Sequence, residues 1–174
     1  MTHARFRTLA ATGLATLLAY ALACGGGSTA GDSAGKAVTG TDSALVDNCS
    51  LVTDAEASSL AGRELKHDED SPLGCPYLKA GSPVGQFTVR AFRGTGAAKD
   101  NFGQHSSDTT IHEIPGLGDS AAVLAREEHV NFLIVQKGGR YVEFVTTFLS
   151  DMNLGSPQLK QAGELALKAL DRMK

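Results

Sequence analysis

Three stretches of this sequence combine residue types and spacings that chemistry uses. Gly118-Asp119-Ser120 places a serine directly after a glycine turn. A serine nucleophile also needs a histidine base held by a carboxylate. The only histidine after Ser120 is His129, and no Asp-x-x-His element follows. The block therefore reads as a turn that opens a strand, with Asp119 bonding locally. Gly94-Thr95-Gly96-Ala97-Ala98-Lys99 follows a strand-like run but lacks the third glycine of a dinucleotide loop, and reads as a turn. His67-Asp68-Glu69-Asp70 lines up four possible metal donors. Neighbours on an extended chain point to opposite faces, and no Asp-x-Asp-x-Asp-Gly loop is present, so a solvated acidic turn is expected. His112-Glu113 and His129 beside Glu127-Glu128 read as exposed strand ends. The expectation is no catalytic residue, no metal ligand and no cofactor. A hydrolase would require His105, His112 or His129 to meet a serine or carboxylates in space.

The remaining reactive side chains are the cysteines, three in 174 residues. Arg5 and Arg7 precede an apolar run from Leu9 to Leu22 that exits through small residues. This is the pattern of a secretory signal peptide, and the run is shorter than the ~20 apolar residues of a membrane span. Ala21-Leu22-Ala23-Cys24 resembles the lipobox of bacterial lipoproteins, with Ala21 where leucine is more usual. The resemblance implies cleavage after residue 23, a diacylglyceride on Cys24 and attachment to a membrane. It places the chain at the outer face of the cell membrane, or at the outer membrane in a Gram-negative source, since Gly25 and Gly26 are not the retaining aspartate. Residues 24–45 are Gly, Ser, Ala and Thr with scattered charge, too polar to offset their ordering entropy. They read as a flexible tether spanning roughly 25 Å root-mean-square. With Cys24 taken by lipid, Cys49 and Cys75 are left to pair in an oxidising compartment. Closing their loop would stabilise the fold by roughly 3.5 kcal/mol.

The globular unit is expected over 46–174. Thr53 and Glu56 form a capping-box pattern for a helix from Asp54 to Ala61, stopped by Gly62. Strands are expected at 64–69, 74–79 and 86–93, the last alternating Phe87, Val89 and Ala91 with Thr88 and Arg90. Residues 96–104 read as a second short helix anchored by Ala97, Ala98 and Phe102. Further strands are expected at 111–114, 121–125, 130–136 and 141–149, the last two joined as a hairpin through Gly138-Gly139. In that hairpin Val130, Phe132 and Ile134 face one way, and Leu133 and Val135 the other. Arg140, Tyr141 and Glu143 are placed on exposed faces that could line a binding groove. Ser156-Pro157 opens a C-terminal helix whose stripe is Leu159, Ala162, Ala166, Ala169, Leu170 and Met173. The order predicts an α+β domain, an antiparallel sheet packed with two short helices and a longer C-terminal helix, stapled by one disulfide.

Composition narrows the partners. Past Cys24 the chain carries 14 basic and 19 acidic side chains without a basic stripe, which argues against nucleic acid. Cys49-Ser50-Leu51-Val52-Thr53, Leu60-Ala61-Gly62, Gly74-Cys75-Pro76-Tyr77 and Pro115-Gly116-Leu117-Gly118-Asp119-Ser120-Ala121 resemble the DUF3558-type lipoproteins of actinobacteria and related extracytoplasmic sensor-type domains. Tyr77 departs from the tryptophan frequent at that place. The resemblance implies a disulfide-stapled extracytoplasmic domain without established chemistry. The expected function is a non-catalytic module binding a small ligand, with an envelope-protein interaction module as the alternative.

Overall fold

A computed structural model describes residues 46–69 and 73–173. The expected signal peptide, Cys24 and the expected tether lie outside the described residues, as does Asp70 of the expected acidic turn. Two α-helices, α1 (Asp54–Ala61) and α2 (Pro157–Arg172), accompany seven strands: β1 (Lys66–His67), β2 (Cys75–Leu78), β3 (Gly85–Arg93), β4 (Thr110–Glu113), β5 (Ser120–Arg126), β6 (His129–Lys137) and β7 (Arg140–Val145). They form one sheet in the order β1-β2-β3-β7-β6-β5-β4, antiparallel throughout. The α+β expectation holds.

Local signals account for the helices. Thr53 accepts from the Glu56 amide at 3.2 Å while the Glu56 carboxylate accepts from the Thr53 amide at 3.0 Å. This capping box starts α1, which ends at Gly62. Ser156 accepts from the Leu159 amide at 3.1 Å, and Pro157 fills the first turn of α2. The apolar stripe of α2 is buried as expected, with Leu165 added. Arg172 at its end grips both oxygens of Glu56 at 2.7 and 2.8 Å and also donates to the Leu51 carbonyl. The helices are thereby tied to each other on one face of the sheet.

That face holds the main core: Tyr77, Phe87, Val89, Leu133, Val135, Val142 and Phe144 under Leu60, Ala166 and Leu170. Phe87 meets Phe144 edge-on at 4.8 Å between centroids, and the Tyr77 hydroxyl donates to the Val52 carbonyl. Cys49, in a 3-10 turn over Asn48–Ser50, is disulfide-bonded to Cys75 at the start of β2. The Asn48 side chain accepts from the Ala91 amide at 2.8 Å, on the edge of β3 that the shorter β2 leaves unpaired.

Four expectations are corrected. The second short helix is a single 3-10 turn at Ala98–Asn101; Gly96 and Gly103, both at positive φ, flank it and leave too few residues for an α-helix. The first strand shrinks to Lys66–His67. The last stops at Val145, because buried Thr146 turns the chain by accepting from the Leu149 amide at 2.9 Å. Finally, Val130 does not share a face with Phe132 and Ile134. The β5–β6 register jumps from Leu124–Phe132 to Ala125–Val130, so Asn131 is an extra residue. This bulge swings Val130 into the helix-side core.

Candidate functional site

Opposite the helices, the second face of the sheet carries three rows of side chains, read from the strand registers. One runs Ile111, Leu124, Phe132, Val145; the next Glu113, Ala122, Ile134, Glu143, Arg90; the third Ser120, Gln136, Tyr141, Phe92. After β3, at the sheet's centre, the chain must reach β4 at its far edge. Residues 94–109 make that crossing over this face, and Ala98 and Phe102 pack on Ala122, Ile134 and Tyr141. The crossing is pinned along the third row. Ser120 Oγ accepts from the Ala98 amide at 2.9 Å, Tyr141 donates to the Gly96 carbonyl at 2.6 Å, and Phe92 stacks on Tyr141 at 5.0 Å.

The crossing covers only part of the face. Beside it lies a pocket of about 490 Å³ with Leu124, Phe132, Ile134, Arg90 and Glu143 as floor and residues 101–106 as one wall. Glu143 is 8% exposed, yet it occupies the central strand of the sheet. Its two carboxylate oxygens each lie 3.5 Å from the same nitrogen, Arg90 Nη1. Burial raises its pKa above the usual carboxylate range, and the Arg90 guanidinium works against that rise. Gly74 makes room for the arginine: a Cβ there would stand 2.4 Å from Arg90 Cγ and 2.5 Å from the Val89 carbonyl oxygen. At the rim, Arg126 Nε is held by Asp108 at 3.0 Å.

A second concavity, about 620 Å³, lies on the helix side between α2 and the loop after β4. Ile114, Pro115, Leu117, Leu154, Leu159 and Leu167 make it largely apolar, and His112 and Glu113 stand at its β4 end. β4 is an outer strand of the sheet.

The chemical motifs of the sequence are scattered by the fold. Ser120 opens β5 and holds the crossing in place. Asp119 does not bond locally; its carboxylate accepts from the Gly138 amide at 2.7 Å, bracing the β6–β7 turn. Gly118 has positive φ, and a Cβ there would meet the Gln136 carbonyl oxygen at 2.5 Å, so close strand approach explains the glycine. Lys99 pairs with Glu113 at 2.7 Å. His67 bonds Asp54 at 2.7 Å, at the start of α1, rather than its acidic neighbours. His105 and His129 contact the carbonyls of Gly103 and Thr147. Among the described residues no three His, Cys, Asp or Glu side chains converge to hold a metal. No described helix is long and apolar enough to cross a membrane.

Of the hairpin residues placed on exposed faces, only Glu143 lines the pocket. Tyr141 is buried beneath the crossing, and Arg140 donates to the Met173 carbonyl at 2.8 Å. The hairpin is internal because β7 pairs with β3 as well as β6. Sequence reasoning missed Arg90, Leu124, Phe132 and Asn131 as pocket residues. The polar side of β3 was a signal, but its partner Glu143 stands 53 positions away. No protein-family model, curated protein or solved structure matches the chain.

Proposed function

We propose that this protein is a lipid-anchored extracytoplasmic module, related to the DUF3558-type lipoproteins, that binds a small ligand without transforming it. The second-face pocket is the ligand's seat. The observation that carries this reading is Glu143: a carboxylate held out of water beneath an open pocket, flanked by apolar Phe132 and Ile134. Burying a charge costs stability unless it is well paired, and one long contact to Arg90 pairs it poorly. Such a cost fits a group whose partner arrives with a ligand, and a few polar groups set in an apolar floor are the usual make-up of small-molecule sites.

The test is native mass spectrometry of the full-length protein purified from membranes. The expected result is an added mass that departs on denaturation and is lost in Phe132→Ala. A bare protein that instead retains a co-purifying envelope protein would overturn this reading in favour of an interaction module. The observation behind that alternative is the apolar groove beside the outer strand β4, which fits an extended segment adding to the sheet. The anchor is tested separately. Cys24→Ser is expected to release the protein from membranes, and unchanged partitioning would overturn the lipid attachment.

A further inference from the structure

The pocket's charges are internally balanced. Arg90 faces Glu143, and Arg126 faces Asp108, so each cation at the pocket already has its anion. A cationic ligand donating to Glu143 would stand against the like charges of Arg90 and Arg126. An anionic ligand would meet Glu143. A purely apolar one would strip water from Glu143, Arg90 and Asn131 and return no hydrogen bonds. What remains is a neutral molecule that carries hydrogen-bond donors.

Hydrogen-bonding capacity agrees. A carboxylate offers about four acceptor sites. Among the described residues Glu143 receives one nitrogen, at 3.5 Å from both oxygens, so acceptor sites remain for donors from the pocket. Gln104 and Asn131 add planar amide groups that both donate and accept around the same space, beside Asn101, whose amide nitrogen already donates to the Ala97 carbonyl at 2.9 Å. The ligand must also have an apolar face, because Leu124 and half-buried Phe132 form the floor next to Glu143. The face of an aromatic ring is electron-rich and attracts weakly positive C–H groups. Hydroxyls around an edge and C–H groups on a face describe a sugar ring, and about 490 Å³ lies within the small-molecule range of ≈ 300–1,000 Å³.

We infer that the second-face pocket binds a neutral saccharide ring, stacked on Phe132 with hydroxyls donating to Glu143. The inference rests on the reading of this pocket as a ligand site and names the ligand's class.

The experiment is an NMR titration of the isotopically labelled full-length protein, following the amides of Leu124, Asn131 and Phe132. The probes are glucose, galactose, mannose and N-acetylglucosamine, with benzylammonium and octanoate as a cationic and an acyl comparison. At least one sugar is expected to move these resonances saturably. Its affinity should fall about tenfold in Glu143→Gln, the loss of a hydrogen bond to a charged group, and similarly in Phe132→Ala. Lys137→Ala, paired with Asp171 away from the pocket, should leave it unchanged. A sugar response indifferent to both pocket substitutions overturns the inference. Benzylammonium or octanoate binding there without any sugar overturns the saccharide but keeps the ligand site. No response to any of the four sugars overturns the saccharide, and no response to all six probes together with no carried mass overturns the ligand site as well.

Discussion

Phe144 and Phe132 belong to adjacent strands of one hairpin and have the same side chain, yet they do different work. Phe144 points to the helix side, fully buried against Phe87. Phe132 points to the other side and is half-buried at the pocket floor. The helix side is closed by two α-helices and the 146–155 segment, whose Leu149 and Met152 fill the remaining space. The other side is closed only as far as the 94–109 crossing reaches. One face of a sheet can thus supply the burial that holds the fold, while the other retains a concave, partly polar surface. A connection of this length with little structure of its own is uncommon unless it serves a site.

Truncating both rings tests the difference between the two faces most directly. Phe144→Ala should cost ~3–5 kcal/mol in denaturant unfolding. Phe132→Ala should cost much less, about 1 kcal/mol or under, since its ring is already partly hydrated. Equal losses would mean that the second face is as much a core as the first.

Opening the disulfide comes next. Cys75→Ser should cost roughly 3 kcal/mol and leave Cys49 reactive to thiol reagents. Full reactivity of both cysteines in the unreduced wild type would contradict the Cys49–Cys75 bond.

Two carboxylates then sharpen the contrast by sign. Hydrogen bonding from Arg172 holds the Glu56 pKa down to about 2, against the opposing effect of burial. Its ionised form therefore stabilises the fold at neutral pH, and that contribution is lost as pH falls from about 4.5 through about 2. Glu56→Gln should destabilise by about 1 kcal/mol near pH 7, with Arg172 partly exposed and the pair screened. The difference from wild type should shrink across that acidic window.

Glu143 should behave oppositely and have the smallest effect. Its raised pKa means that stability is full below the ordinary glutamate value and is lost as pH rises through the raised one. Glu143→Gln should therefore stabilise the ligand-free protein modestly near pH 7, at most on the order of 1 kcal/mol, by thermal melting. The gain should vanish in acid. A destabilised Glu143→Gln at neutral pH would show that the Arg90 pair is structural and would weaken the case for the pocket.

How much of this was legible varies with the range of the interaction. The capping box at Thr53 and Glu56, the Ser156-Pro157 start and the α2 stripe were readable because partners lie within four residues along a helix. The hairpin about Gly138-Gly139 was readable because a short glycine turn joins two β-rich runs that are neighbours in sequence. The pocket was not. Glu143 was singled out, but as an exposed groove residue, since nothing local shows that β3 closes against β7. The Asn131 bulge was also hidden, because it appears only when β5 and β6 are set in register.

The residues alone specified α1, α2 and the approximate places of the strands, though not the 3-10 turn at Ala98–Asn101, and with them the α+β class and the Cys49–Cys75 bond. These follow from short-range sterics, capping and pattern, which each segment carries alone. Long-range folding makes β7 central, sends residues 94–109 across one face and brings Arg90 and Glu143 together beneath an open pocket. Those outcomes depend on the order of strands in the sheet, a choice among long-range pairings that no local stretch of chain encodes.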